Sequence, residues 1–226
     1  MSLIDASRNG DLVTVRRLLY SSADGEKVNL NAVDRYGQTP LYIASAEGYS
    51  EIVTELLSAG ADPNITSNVG FTPLAVSSFK TGRLKMVIEL LFPPDGGKGT
   101  DPNIADGDNR TPLLWASYYG RLDVVKVLIR AGADPNIANK DGRIPLYWAS
   151  HDGHLEVIKV LLRAGADPSG ANKYGRIPQN QAFVRGHLEV VEEFENYFPT
   201  LHTLSLRSLR RFKIDFSLIP ENFILI

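Results

Sequence analysis

An all-α solenoid of about five helix-turn-helix units joined by short hairpin-like turns is the fold class this sequence predicts, and three observations predict it. The residue before a recurring proline falls at Thr39, Thr72, Thr111, Ile144 and Ile177, in steps of 33, 39, 33 and 33 residues. A fixed period of this size marks stacked repeats, each one a supersecondary unit. Every copy also carries the start and stop signals of two short helices. Finally, an apolar pair recurs late in each copy, as Leu56-Leu57, Leu90-Leu91, Leu128-Ile129 and Leu161-Leu162. A lone helix pair cannot bury such residues, so the copies are expected to stack into one continuous core.

The elements follow from local chemistry. In "GQTPLYIASAEG" Thr39 caps a helix whose first position is Pro40, where a missing N–H costs nothing and the fixed φ already suits a helix. That helix is expected to end near Glu47, and Gly48 permits a tight reversal. "SEIVTELLSAGADPN" then sets Ile52, Val53, Leu56 and Leu57 on one face of a second helix, which Gly60 ends in the left-handed conformation and Pro63 keeps from resuming. Between units, stretches such as "DPNIANKDGR" carry Asn, Asp and Gly at the spacing of a tight turn.

Two copies are longer than the rest. Leu57 to Asp62 is five residues, whereas Leu91 to Asp101 is ten, so "FPPDGGKGT" contains a five-residue insertion; Leu19 to Asn29 is also ten, through "YSSADGEKV". The glycines and lysine of the former do not make a phosphate loop. That chemistry needs a glycine at a set distance before the Gly-Lys pair and Ser or Thr after it, whereas Phe92 and Gly99 stand there. Lengthening a surface loop costs little, because closure entropy grows logarithmically. Drift in loop length and contact with a partner are both open readings.

In the last copy, "GRIPQNQAFVRGHLEVVEEFENYF", Gln179, Asn180 and Gln181 replace the apolar Leu146, Tyr147 and Trp148, as a terminal capping repeat requires. Residues 1–198 are therefore read as one repeat domain with its first and last copies as caps. Residues 199–226 form a C-terminal tail too apolar for a disordered segment, read as an extra cap, a partner-binding segment or part of a further domain.

Composition narrows the function. With 226 residues and a formal charge of −2, the chain offers no global attraction for nucleic acid or an anionic membrane. It has no cysteine, which removes disulfides, thiolate metal sites and cysteine nucleophiles from consideration. The N-terminal stretch shows neither a basic leader nor an apolar core, and no run is long enough to span a bilayer. An intracellular protein is expected, cytoplasmic rather than nuclear. His154 and His187 share one position in "GHLEV" and read as structural, and the pair His151 and His154 has no third ligand nearby in sequence. No Gly-x-Ser-x-Gly elbow, paired-carboxylate motif or dinucleotide fingerprint occurs, so neither an enzyme nor a cofactor is expected.

The repeated "TPLYIA", "TPLAVS", "TPLLWA" and "IPLYWA", each followed by a variant of "LL…GADPN", resemble the ankyrin repeat family over roughly residues 2–198. Tyr42, Ala75, Leu114 and Tyr147 stand where the family's signature usually has histidine. The resemblance implies a non-catalytic protein-binding module whose turns and first helices line a concave groove. On this chain those positions single out Arg35, Tyr36, Phe71, Phe79, Lys80, Arg110, Tyr118, Tyr119, Arg143, His151, Asp152, Tyr174 and Arg176 as partner-binding residues. Arg110, Arg143 and Arg176 share one position in three consecutive copies and should form a ladder, either partly neutralised by Asp108 and Asp141 or reading an acidic ligand. Phe79, Tyr118 and Tyr119 are placed as interface anchors. Trp115 and Trp148 precede the small Ala-Ser pair and are read as core. The expected partner is a protein or an extended peptide, acidic in character, with no nucleic acid or membrane; the chain is expected to be a monomer unless its tail mediates association.

Within the tail, "SLRSLRRFKI" resembles the first helix of a SOCS box, although Arg210 stands where that family usually has cysteine. This implies the alternative of a ubiquitin-ligase substrate receptor that recruits elongin and cullin subunits. Affinity purification with mass spectrometry, comparing the full chain with one ending at Phe198, separates the readings. Elongin or cullin subunits recovered only with the full chain mark an adaptor; unchanged partners with lowered stability mark a cap.

Overall fold

The computed structural model describes residues 1–20, 28–94, 96–97 and 99–197. The C-terminal tail, with each reading of it, lies outside the described residues, as do most of the first copy's insertion, Asp95 and Lys98.

Among the described residues the chain forms six helix pairs: α1 (Leu3–Asn9) with α2 (Leu12–Tyr20), α3 (Pro40–Glu47) with α4 (Ser50–Ser58), α5 (Pro73–Phe79) with α6 (Leu84–Leu91), α7 (Pro112–Tyr118) with α8 (Leu122–Arg130), α9 (Pro145–His151) with α10 (Leu155–Arg163), and α11 (Pro178–Val184) with α12 (Leu188–Tyr197). Five pairs open at the proline-marked positions. The sixth, α1–α2, has no such proline and starts instead with a capping box, in which Ser2 and Asp5 satisfy each other's backbone N–H. Thr39, Thr72 and Thr111 each accept the N–H three residues on, from Tyr42, Ala75 and Leu114. Ile144 and Ile177 provide no such bond.

First helices pack on first helices and second on second, giving two layers with the core between them. Leu41, Leu74, Leu113 and Leu146 from the first layer and Leu56, Leu90, Leu128 and Leu161 from the second are all fully buried and join one cluster from Leu3 to Phe194. The polar last copy is not simply turned outward. Gln181 is buried and accepts a 2.8 Å hydrogen bond from the Tyr147 hydroxyl, so it closes the stack with a paired polar group.

Three ladders tie neighbouring units together. At the hairpin tips the backbone N–H of Asn68, Gly107, Lys140 and Lys173 donates to the carbonyl of Tyr36, Val69, Asp108 and Asp141, at 2.9–3.1 Å. On the opposite edge the side-chain oxygens of Asn31, Asn64, Asn103 and Asn136 accept the N–H of Asp62, Asp101, Asp134 and Asp167. Between these edges the residue opening each of the last four second helices reaches back to the end of the preceding unit's first helix. Arg83 donates to the Glu47 carbonyl and Arg121 to that of Phe79, while the Nε2 atoms of His154 and His187 donate to Tyr118 and His151 at 3.0 Å. This is the structural role expected for the "GHLEV" histidines.

The insertion after α6 leaves and rejoins the stack without disturbing it. Thr100 N–H donates to the Leu90 carbonyl at 2.9 Å, as Ala61, Ala133 and Ala166 do to Leu56, Leu128 and Leu161.

Where Arg83, His154 and His187 cross the end of a first helix, the glycine beneath them (Gly48, Gly120 and Gly153) is required by space as well as by conformation. Gly120 has φ +64°, and a Cβ there would stand 2.6 Å from the His154 ring. Gly132 has φ +88° with open space around it. Gly120→Ala is therefore expected to lower unfolding stability by roughly 1–3 kcal/mol more than Gly132→Ala, because it adds a clash to a similar backbone penalty. Urea denaturation of the two variants checks this.

Candidate functional site

The hairpin tips and the first helices share one face of the stack. Each tip closes in the same register: the N–H of Asp34, Ser67, Asp106, Asn139 and Asn172 donates to the carbonyl of Gln38, Phe71, Arg110, Arg143 and Arg176. In four tips the opening Asp or Asn also accepts the N–H groups two and four residues on, as Asp106 does from Asp108 and Arg110. The shared register puts Phe71, Arg110, Arg143 and Arg176 at equivalent places, and the first three lie beside rings of the helices they lead into.

Those rings form a continuous strip. Phe71 lies 6.2 Å from Phe79 and 5.7 Å from Trp115, and Phe79 lies 5.5 Å from Trp115 and 5.7 Å from Tyr119. Trp115 stacks on Tyr119 at 6.1 Å, Tyr119 meets Tyr118 edge-on at 4.9 Å, and Tyr118 meets Trp148 at 5.0 Å. Trp148 continues the strip to His151 at 5.7 Å. Arg110 lies 4.5 Å from the Trp115 ring centroid and Arg143 lies 5.0 Å from that of Trp148, both within cation–π reach.

Of the residues singled out from sequence, Phe71, Phe79, Tyr118, Tyr119 and His151 come together in this strip, with Arg110 and Arg143 laid on it. His151 pairs with Asp152 at 2.8 Å. Arg35 and Tyr36 stack on each other at the first tip, while Tyr174 and Arg176 are exposed at the fifth. The Lys80 ammonium is engaged, donating to the Ala46 carbonyl near the end of α3.

Trp115 corrects the expectation of a core residue, since it is half-buried and lies in the middle of the strip; Trp148, also half-buried, packs against the core cluster on one side and continues the strip on the other. Helical spacing carries the signal. Trp115 is two residues after the fully buried Leu113, about 200° around the helix, while Ala116 and Ser117 return to the buried side. The corresponding Ile43 and Val76 likewise belong to a small separate cluster with Phe71 and Phe79.

Sequence reasoning also passed over Asp106. Its side chain is 0% exposed, and one carboxylate oxygen accepts from Arg110 Nε at 2.8 Å and Trp115 Nε1 at 3.2 Å. Arg110 reaches Asp108 as well, at 2.9 Å. This guanidinium, 29% exposed, is thus neutralised twice within its own turn.

Among the described residues no group of three or more His, Cys, Asp or Glu is placed to hold a metal, and no helix is long and apolar enough to cross a membrane. The sequence model for "Ankyrin repeats (3 copies)" matches residues 2–67, 62–139 and 113–197. The chain belongs to the ankyrin repeat family, whose fold generally serves as a non-catalytic protein-interaction module. It is 37% identical over 111 residues to palmitoyltransferase AKR1 of Kluyveromyces lactis, across 49% of this chain and 14% of that protein. It is 33% identical over 128 residues to the putative ankyrin repeat protein YahD of Escherichia coli, across 55% of this chain and 59% of that one. The chain thus spans less than two thirds of either relative. The crystal structure of EF0377, an ankyrin repeat protein, superposes with a TM-score of 0.75 and 25% identity, covering 84% of this chain and 94% of that one.

Asp106→Asn keeps the turn bonds made to one oxygen but takes the acceptor from Arg110 and Trp115. The variant is expected to lose roughly 3 kcal/mol of stability, the cost typical of breaking a buried ion pair, as read by urea denaturation.

Proposed function

We propose that this chain is a non-catalytic binding module that holds an extended segment of a partner protein along the groove of tips and first helices. The observation that supports this most is the aromatic strip from Phe71 to His151. Its rings are half-buried or exposed, and in Tyr119 the exposure reaches 41%. Rings of this kind supply large contact area at low entropic cost, and they are the side chains that dominate interface energetics. The stack beneath holds them on rigid helices, so little ordering is left for binding to do. Arg110 and Arg143 lie across two of the rings and offer planar donors at the groove's edge.

Tyr118 is the most informative position, because its ring links Tyr119 to Trp148 and so joins the two halves of the strip. Tyr118→Ala is expected to weaken the natural partner by at least about tenfold, a typical hot-spot loss, while helicity stays unchanged. Partners captured from lysate by the wild type are titrated against both proteins. Equal affinity would remove the groove from the account.

A further inference from the structure

The third and fourth tips, with the first helices they lead into, build the same arginine-on-tryptophan arrangement with one atom type changed. In the third, Asp106 Oδ2 accepts from both Arg110 Nε and Trp115 Nε1. In the fourth, Asn139 replaces it. The Asn139 side-chain oxygen keeps the two turn bonds, to Asp141 N at 3.0 Å and Arg143 N at 2.9 Å. The other end of its amide is therefore an NH2 group, which donates and cannot accept.

The consequence is visible in the neighbouring donors. Arg143 Nε and Trp148 Nε1, the counterparts of the two that Asp106 satisfies, are buried without an acceptor. The remaining internal ion pair is loose as well. Arg143 stands 3.8 Å from Asp141, against 2.9 Å between Arg110 and Asp108. Yet the guanidinium is held in place, 5.0 Å from the Trp148 centroid and 5.4 Å from that of Tyr147, with its side chain 25% exposed. The formal charge of the tips changes in the same direction. Asp106, Asp108 and Arg110 leave the third tip net negative; Lys140, Asp141 and Arg143 leave the fourth net positive; Lys173 and Arg176 make the fifth more positive still.

An oriented, partly dehydrated guanidinium whose Nε has no acceptor and whose neighbouring carboxylate stands off at 3.8 Å is an incomplete site, and the complement it fits is a carboxylate. Resting on the groove reading above, we propose that Arg143 is the carboxylate anchor of the groove. The partner segment is acidic, and it sets an Asp or Glu side chain on the outward edge of Arg143 at the positive fourth and fifth tips. Its apolar residues lie along Phe79, Trp115 and Tyr119. Arg110, already neutralised by Asp106 and Asp108, is the internally completed version of the same device.

Asn139→Asp tests this directly, because it supplies the missing acceptor from inside the protein. A display library of random short peptides is selected on the wild type, Asn139→Asp, Arg143→Gln and Tyr118→Ala, each checked for folding by circular dichroism. Wild-type pools are expected to be enriched in Asp and Glu next to apolar residues, with the acidic enrichment lost in Asn139→Asp and Arg143→Gln. Asn139→Asp is also expected to unfold at higher temperature than the wild type. A synthetic copy of the most enriched peptide should lose about tenfold in affinity on Glu→Gln replacement against the wild type, and little against Asn139→Asp. Wild-type pools without acidic enrichment, or equal enrichment in Asn139→Asp, would overturn the anchor; loss of those peptides on Tyr118→Ala would leave the groove standing. Peptides that bind Tyr118→Ala as well as the wild type would instead overturn the groove.

Discussion

A helix pair of this size has too little interior to be stable, and every other feature of the molecule follows from how that deficit is met. Leu41 and Leu56 come from one unit, yet their burial is completed by Leu74 and Leu90 from the next, and the sequence continues to Leu146 and Leu161. Most helical stability in proteins comes from packing of an apolar face, and here that face belongs to the neighbouring unit. The tips, asparagines and reaching side chains at 83, 121, 154 and 187 hold the stacking register. They are hydrogen bonds between units, so they are made only when the stack is made.

This division of labour frees one face. The positions that build the core and the ladders are spoken for, and what remains at the tips and along the outer side of the first helices is free to vary without loss of the fold. The insertion after α6 illustrates the tolerance, since Thr100 takes up the bond to Leu90 that an alanine makes elsewhere. Free positions are not all idle, however. Lys80 fastens α5 to the end of α3, and Asp106 fixes an arginine and a tryptophan at once.

Two consecutive units therefore carry nearly the same parts in different electrostatic states. Low local dielectric strengthens a charge-assisted bond and equally raises the cost of leaving a donor unpaired. Exchange of a carboxylate for an amide at one position of the turn converts a closed arrangement around Arg110 into a more open one around Arg143. The rings beneath hold both guanidiniums in similar poses, so the difference lies in charge and acceptor supply rather than in shape.

The period, the threonine caps, the inserted residues after Leu91, the leucine core and the aligned arginines were legible in the sequence, because each depends on local spacing or on a residue's place within the unit. The candidate groove was legible in part: Phe79, Tyr118 and Tyr119 were placed correctly beside one another, but Trp115 was assigned to the core and Trp148 to the core alone. Size and hydrophobicity alone do not tell an inner from an outer face when both lie along one short helix. Burial of Asp106 and the engagement of Lys80 had no such signal. They arise where residues distant along the helix and turn, or in different units, converge in space, as Lys80 does on Ala46. Sequence by itself determined the repeat and its packing, since these are periodic. Only the tertiary structure decided which arginine already has its acceptor, because that depends on which donors and acceptors share one buried point.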